Sequence, residues 1–381
     1  MREVAVLGVG QSKFGKFPHL SGTDLGQEAV LAALKDAGVK PKDIQVVYTA
    51  RLYDCWVTSQ CIVKDLGITN LEMVNVENAC AGGATSFRGV WKEIADGHYD
   101  IGLAIGVETM TTSPVAGKMI PPAKDDLDGQ LGYTMPSAFA LFARRQMDVY
   151  GATLEDFAMV SVKNHHHGCL NPMAQYRKET TVEEVLASRM ISDPITLLMC
   201  CPNTDGAAAT VLCSMDVARK YTSHPIKVIG SALRSAGYSY KQEDIARSPL
   251  GRDTANMAYE MAGVGPEDID LIELHDAFAS EEIMRYEDLG ICKPGEGPKL
   301  LRDKSVWLGG KIPVNPSGGL LSLGHPLSAS GVRTINELVL HLRGQAGERQ
   351  IPNAKIGLAH MLGGAVANLE AGACGIHIVA R

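Results

Sequence analysis

Ala37-Gly38-Val39-Lys40-Pro41-Lys42-Asp43-Ile44 comes back 225 positions later as Ala262-Gly263-Val264-Gly265-Pro266-Glu267-Asp268-Ile269. Each copy follows a stretch at helical spacing and runs into an apolar segment rich in Ile and Val. Each therefore reads as the joint between a helix and a buried strand. Ile101-Gly102-Leu103-Ala104 returns as Ile356-Gly357-Leu358-Ala359, and Val6-Leu7-Gly8 is matched by Val228-Ile229-Gly230, with the order kept. Matches in register imply two similar halves, which we place at residues 1–225 and 226–381.

Working outward, Val4–Gly10, Gln45–Thr49, Leu71–Val76, Ile101–Val107, Ile226–Gly230, Ile269–Leu274 and Ile356–Ala359 are predicted strands. Most are apolar on both faces, which marks interior strands covered on each side. Asp24–Ala37, Ala84–Asp96, Thr254–Ala262 and Ser328–Leu342 carry helical spacing between them. The alternation predicts an α/β fold. From about residue 111 to 198 this rhythm breaks, around Pro121-Pro122, the acidic Asp125, Asp126 and Asp128, and a polar stretch at 164–177. That segment reads as an excursion inserted into the first half, placed to cover a cleft.

Composition narrows the function. Lys plus Arg number 36 against 43 Asp plus Glu, a net charge of −7 with no basic block, which excludes a nucleic-acid partner. No apolar run approaches the ~18 residues of a membrane span, and the start lacks a signal-peptide core. The ending Ile378-Val379-Ala380-Arg381 carries no short targeting address. Nine cysteines, odd in number and scattered through apolar surroundings, fit reduced thiols in the cytoplasm better than a disulfide framework.

Chemistry concentrates at a few joints. In Asn75-Val76-Glu77-Asn78-Ala79-Cys80-Ala81-Gly82-Gly83-Ala84 a strand gives way to a helix, with Cys80 at the turn. Unpaired N–H groups and the positive end of the helix dipole favour thiolate there. The plainer alternative is a small buried hydrophobe. His325 ends the glycine-rich loop Gly318–Gly324 ahead of a helix, where imidazolium is disfavoured and a neutral ring can accept a proton. Its alternative is a loop-bracing residue. His275 closes one predicted strand and His360 another, at carboxyl ends where ligands of α/β sheets collect, although each alone also fits a satisfied core histidine. His165-His166-His167 with Cys169 invites a metal reading, but three consecutive side chains cannot face one ion on regular structure. We read it as cleft or loop surface and assign no metal. Cys200-Cys201 precedes a small-residue run, Ala207–Cys213, that reads as a buried strand. Neither a dinucleotide fingerprint nor a phosphate loop is present in the sequence.

The Cys80 segment, Asp193-Pro194-Ile195-Thr196-Leu197-Leu198 with Asp205-Gly206-Ala207-Ala208-Ala209, His275-Asp276-Ala277-Phe278 and Gly324-His325-Pro326 together resemble the thiolase family, in its sterol-carrier-type and archaeal branch. The resemblance spans essentially the whole chain. It implies a duplicated five-layer α/β/α/β/α fold with an inserted loop domain, in a homodimer or homotetramer. It also implies that Cys80 is acylated, that His325 activates it, and that His275 holds the thioester oxygen with a water. Backbone N–H groups of Cys80 and of Leu362 and Gly363 would form a second oxyanion hole. His360 stands where many thiolases carry a second cysteine, which makes it the candidate acid/base at the α-carbon; Cys374 is set aside because it falls in a predicted final strand. The implied reaction is reversible thiolysis of a 3-oxoacyl-CoA, with coenzyme A as co-substrate and no tightly bound cofactor. Acetoacetyl-CoA and benzoylsuccinyl-CoA thiolases are both compatible. A small zinc-ribbon and OB-fold subunit is an implied partner. A ketosynthase and a catalytically silent acyl-CoA-binding subunit are the alternatives.

Overall fold

The apolar runs become strands of one mixed sheet in the computed structural model, which describes residues 1–53, 56–118, 126–237, 244–366 and 369–381. The strands are β1 (Val4–Gln11), β2 (Val46–Ala50), β3 (Glu72–Val76), β4 (Ile101–Thr109), β5 (Met190–Ser192), β6 (Ile195–Thr196), β7 (Asp205–Ser214), β8 (Ile226–Arg234), β9 (Leu271–Glu273), β10 (Ile356–Gly363) and β11 (Ala373–Ala380). β5 and β6 form a small separate pair, and the others lie in the order β3-β2-β4-β7-β1-β8-β11-β10-β9. β1 and β8 meet antiparallel at the middle. Outward from them, each side repeats one scheme: an antiparallel neighbour (β7 or β11), another antiparallel strand (β4 or β10), then a parallel one (β2 or β9).

The helices are α1 (Gly22–Ala37), α2 (Thr58–Val63), α3 (Gly82–Ala95), α4 (Leu127–Gln130), α5 (Met135–Tyr150), α6 (Leu154–Cys169), α7 (Val182–Ala187), α8 (Met215–Tyr221), α9 (Pro249–Ala262), α10 (Ala279–Asp288), α11 (Gly297–Arg302) and α12 (Leu327–Arg343). The repeated sequence words fall at equivalent places. α1 and α9 each end on a glycine at φ 68°, Gly38 and Gly263, and each is followed by a single 3-10 turn that opens on proline, Pro41 or Pro266. The left-handed conformation closes the helix, and proline at the next turn prevents its continuation. Gly8 on β1 and Gly230 on β8 let those two helices approach closely. A Cβ would lie 2.5 Å from the Ala33 carbonyl at the first and 2.8 Å from the Ala258 carbonyl at the second.

These contacts define five layers. α1 covers the outer face of the first half-sheet and α9 that of the second, while α12 packs on β4 and β7 on one side and on β9, β10 and β11 on the other. α3 lies beside α12 in that middle layer. A buried cluster joins Phe87, Val90 and Ile94 of α3 with Ile335, Leu338 and Val339 of α12 and with residues of both half-sheets.

The excursion is more regular than its sequence suggests. Thr134, Thr153 and Thr181 cap α5, α6 and α7, and each cap is answered three residues on by Ser137, Asp156 or Glu184. Of the three, only Thr181 with Glu184 carries the Thr-x-x-Glu signature of a helix start in the sequence. Pro121, Pro122 and Asp125 lie outside the described residues. α5 and α6 pack against α10 and the loop leading to α12, so the excursion does lie over the second half.

Candidate active site

Cys80 sits in the 3-10 turn Ala79–Ala81 that leads directly into α3. The turn holds Ala79 at φ 46°, a conformation that costs energy for a residue with a Cβ and that aims the next side chain out of the helix. The Glu77 carboxylate accepts from the Ala79 N–H at 2.5 Å. The thiol is half-buried and packs against Ala81, Ala84, Met361 and Ala373.

His325 reaches the same place from the start of α12 because the two central helices cross backbone to backbone. A Cβ at Gly83 would lie 2.5 Å from the Ser328 carbonyl, and one at Gly331 would lie 2.5 Å from the Ala84 nitrogen. Larger residues would part the helices and the groups at their starts. The Thr204 hydroxyl accepts from the His325 N–H at 3.1 Å, and Ser330 Oγ lies 2.8 Å from its Nδ1. Burial, the charge of His275 and that of Arg333 hold His325 well below the usual histidine pKa, so the ring is neutral.

His275 follows β9 by two residues. Its Nδ1 lies 2.9 Å from a Glu281 carboxylate oxygen. Burial alone would suppress its charge, but the Glu281 carboxylate and Cys80 outweigh burial and push the pKa up to about 10. The two rings meet edge to face with centroids 5.2 Å apart. One ligand-type atom from each of Cys80, His275 and His325 lies within 4.8 Å of the others, and among the described residues neither Nε2 has a hydrogen-bond partner besides the thiol. Two imidazoles with opposite protonation beside one thiol form an acid and a base.

His360 departs from expectation. β10 runs on to Gly363, so this residue lies inside the strand, opposite Ile376, rather than at its end. It is wholly buried and absent from the cavity wall. Its Nδ1 lies 3.4 Å from the His275 backbone N–H, and Met361, one residue on and so on the other face, is what packs against Cys80. Burial and the charges of Arg285 and His275 keep it neutral.

The other sequence candidates resolve as structure. His165–His167 lie on α6 rather than on a loop surface. His167 Nδ1 donates to the Asn315 carbonyl at 3.0 Å and its Nε2 accepts from the Leu308 N–H at 3.0 Å, His165 faces the Lys178 carbonyl, and the exposed His166 meets Glu179. Cys374 is in β11 as expected, its thiol pushed up to about 12 by burial. Cys200 and Cys201 precede β7 and line the cavity; burial pushes both thiols up, Cys200 to about 12.

Cys80, His275 and His325 form the floor of a cavity of about 510 Å³, a volume suited to a small-molecule acyl group. Leu362 and Gly363 also line it, and Gly363 abuts the Cys80 turn: a Cβ there would be 2.6 Å from the Ala81 nitrogen. Its apolar wall includes Phe139, which stacks on Phe278 at 4.3 Å and meets Phe142 edge to face at 5.3 Å. Three supporting residues escaped sequence reasoning: Glu281, Ser330 and Thr204. The first two had a legible signal, since a polar residue five or six positions after each histidine falls in the helix that follows. Asp276 ties the two histidine loops together by accepting from the Leu320 N–H at 2.7 Å.

Comparison with known proteins gives the family of the chain. Residues 4–216 match the family described as "Thiolase, N-terminal domain" and residues 232–371 the one described as "Thiolase C-terminal domain-like". The chain belongs to the thiolase family and has its duplicated fold. It is 42% identical to the acetyl-CoA acetyltransferase of Methanothermobacter thermautotrophicus over the full length of both chains. It is 39% identical to benzoylsuccinyl-CoA thiolase subunit BbsB of Thauera aromatica, over 95% of each. A chain of the solved Ltp2-ChsH2(DUF35) aldolase superposes with a TM-score of 0.87 at 27% identity, covering 99% of this chain and 98% of that one. The chain is thus an acyltransferase of the CoA-dependent thiolase type.

Proposed function

We propose that the chain cleaves a 3-oxoacyl-CoA reversibly through an acyl-Cys80 intermediate. The carrying observation is the convergence of Cys80, the neutral His325 and the charged His275 at the floor of an apolar cavity. In the thiolytic direction His325 takes the Cys80 proton and the thiolate attacks the 3-keto carbon. The bond to the α-carbon breaks, and the His275 cation, braced by Glu281, donates to the thioester oxygen where enolate charge collects. Backbone N–H groups of Cys80 and Gly363 serve the oxyanion at the attacked carbon. The enolate takes at carbon the proton that His325 holds, and free CoA, losing its thiol proton to the neutral ring so restored, lifts the acyl group from sulfur. Reversal is a Claisen condensation. His360 is a positioning residue in this reading: buried beneath His275, it holds that residue's backbone rather than the α-carbon proton.

The test is incubation with acyl-CoA followed by intact-mass analysis. An acyl adduct should map to Cys80 and vanish in Cys80→Ser; an adduct that persists in the variant overturns the assignment. We also propose a homo-oligomer accompanied by a small second subunit, in the cytoplasm. The names of two similar proteins, a thiolase "subunit" and an aldolase of two components, support the partner. Among the described residues no helix is long and apolar enough to cross a membrane. Full thiolysis by the purified single chain, matching that of the cell extract, would count against a partner.

A further inference from the structure

We infer that the resting catalytic cluster is also an inhibitory zinc site. One thiol sulfur and two imidazole nitrogens lie within 4.8 Å of one another. Tetrahedral zinc holds sulfur at about 2.3 Å and nitrogen at about 2.0–2.1 Å, which sets the donors roughly 3.3–3.6 Å apart. Rotations that bring the ligand atoms inward by about 1 Å complete three corners. All three side chains line the cavity, from which a fourth ligand would come.

Two independent observations support a ligand here. His275 and His325 are 5% and 3% exposed, and the Nε2 of each is buried and has, among the described residues, no hydrogen-bond partner other than the thiol. The outer contacts are those a zinc histidine needs: His275 Nδ1 faces the Glu281 carboxylate at 2.9 Å, and His325 Nδ1 faces Ser330 Oγ at 2.8 Å. Such contacts fix the ring so that the other nitrogen can coordinate. A sulfur and nitrogen donor set selects zinc and its relatives over magnesium or calcium. Metal entry displaces the thiol proton and the His275 proton to solvent. It leaves Cys80 unable to attack a thioester, so zinc competes with acyl-CoA. The competition rests on the acyl-Cys80 reading; the coordination does not.

The probe is Co²⁺ alone, titrated into the full chain, with zinc then used to displace it. One cobalt per chain should appear with tetrahedral visible bands and a near-ultraviolet thiolate charge-transfer band. Cys80→Ala should abolish that band. In the unmodified chain, Zn²⁺ should protect Cys80 from iodoacetamide. A cobalt spectrum unchanged in Cys80→Ala, or alkylation of Cys80 at the same rate with and without Zn²⁺, overturns the site. Acylation of Cys80 without cobalt binding removes the metal site and leaves the thiolase reading intact. Cobalt held through Cys80 in a chain that never forms the adduct does the reverse.

Discussion

The two half-sheets share one scheme yet carry different chemistry at matched positions. Val46 pairs with Gly102 and Leu271 with Gly357, the second residues of the repeated tetrapeptide. Counting along from those pairs sets Ala50 against His275 and Ile105 against His360. The first half therefore holds apolar residues where the second holds histidines, and contributes instead the thiol at the start of α3. Polar burial follows the histidines. The second half and its overlying excursion contain fully buried ion pairs, Lys163 with Glu282 and Arg333 with Glu273. The corresponding region of the first half is packed with Leu, Ile, Val and Ala around α1. The two helix starts that meet at the centre carry Cys80 on one and His325 on the other, the nucleophile and base of the proposed reaction. Removing a buried charge's partner is costly, so the polar half has less freedom to change.

Breaking the asymmetry at its centre should have the largest effect. His325→Ala removes the proton acceptor, and the rate of Cys80 acylation should fall about 10²–10⁴-fold in a stopped-flow or quenched mass assay. His275→Ala removes a donor to developing negative charge and should cost about 10²–10³-fold in kcat. If His275→Ala were the more damaging to acylation and His325→Ala to enolate release, their assignments would be exchanged.

Next comes the crossing that joins the halves. Gly331→Val places atoms where a Cβ alone already lies 2.5 Å from the Ala84 nitrogen. Overpacking of this kind costs about 1–3 kcal/mol, read as a lower urea midpoint. Cys80 alkylation should slow in the folded variant, because the thiol moves away from His325. The same substitution at Gly67, where a Cβ would meet nothing within 4 Å, is a poor control because its φ is 79°; Gly237, also open, serves better.

How much of this was legible follows from the same physics. The duplication could be read because helix stops and strand starts use a local vocabulary, Gly38 then Pro41, Gly263 then Pro266. Cys80 and His325 could be read because their chemistry depends on a helix start, which sequence signals directly. Burial of His360 could not, since whether β10 ends at Ala359 or at Gly363 depends on its pairing with β11 and not on its own residues. The histidine run was misplaced for a related reason: the Thr153 cap makes the segment helical, and only packing decides that His167 is satisfied by Asn315 and Leu308. Glu281 could be placed in the helix after His275, but its pairing with that ring depends on how the chain between them turns, where the Ala277 N–H donates to Glu281.

A smaller effect tests the charge on His275. With its pKa raised from the ordinary 6.5 to about 10, the residue adds stability that is whole below about 6.5 and lost as the pH climbs towards 10. Glu281→Gln removes the main support for that charge. The difference in unfolding free energy between the native chain and the variant should therefore shrink as pH rises across that window, and the alkaline limb of kcat should move to lower pH in the variant. A constant difference from pH 6.5 to 10 would mean that Glu281 does not sustain the charge.

The smallest expected effect makes the halves more alike. His360→Ile copies the first half's Ile105 into the second. It removes a long 3.4 Å contact to the His275 N–H, but it also removes a buried Nε2 that has no partner, so the two changes in stability offset each other. As a positioning change it should lower kcat by less than about tenfold and leave the Cys80 adduct intact, whereas loss of a general acid/base would lower kcat about 10²–10⁴-fold. Exchange of solvent deuterium into the α-position of acyl-CoA gives the sharper readout, because it follows the proton alone. Exchange that survives in His360→Ile leaves the acid/base work to groups lining the cavity, and exchange that disappears would restore it to His360.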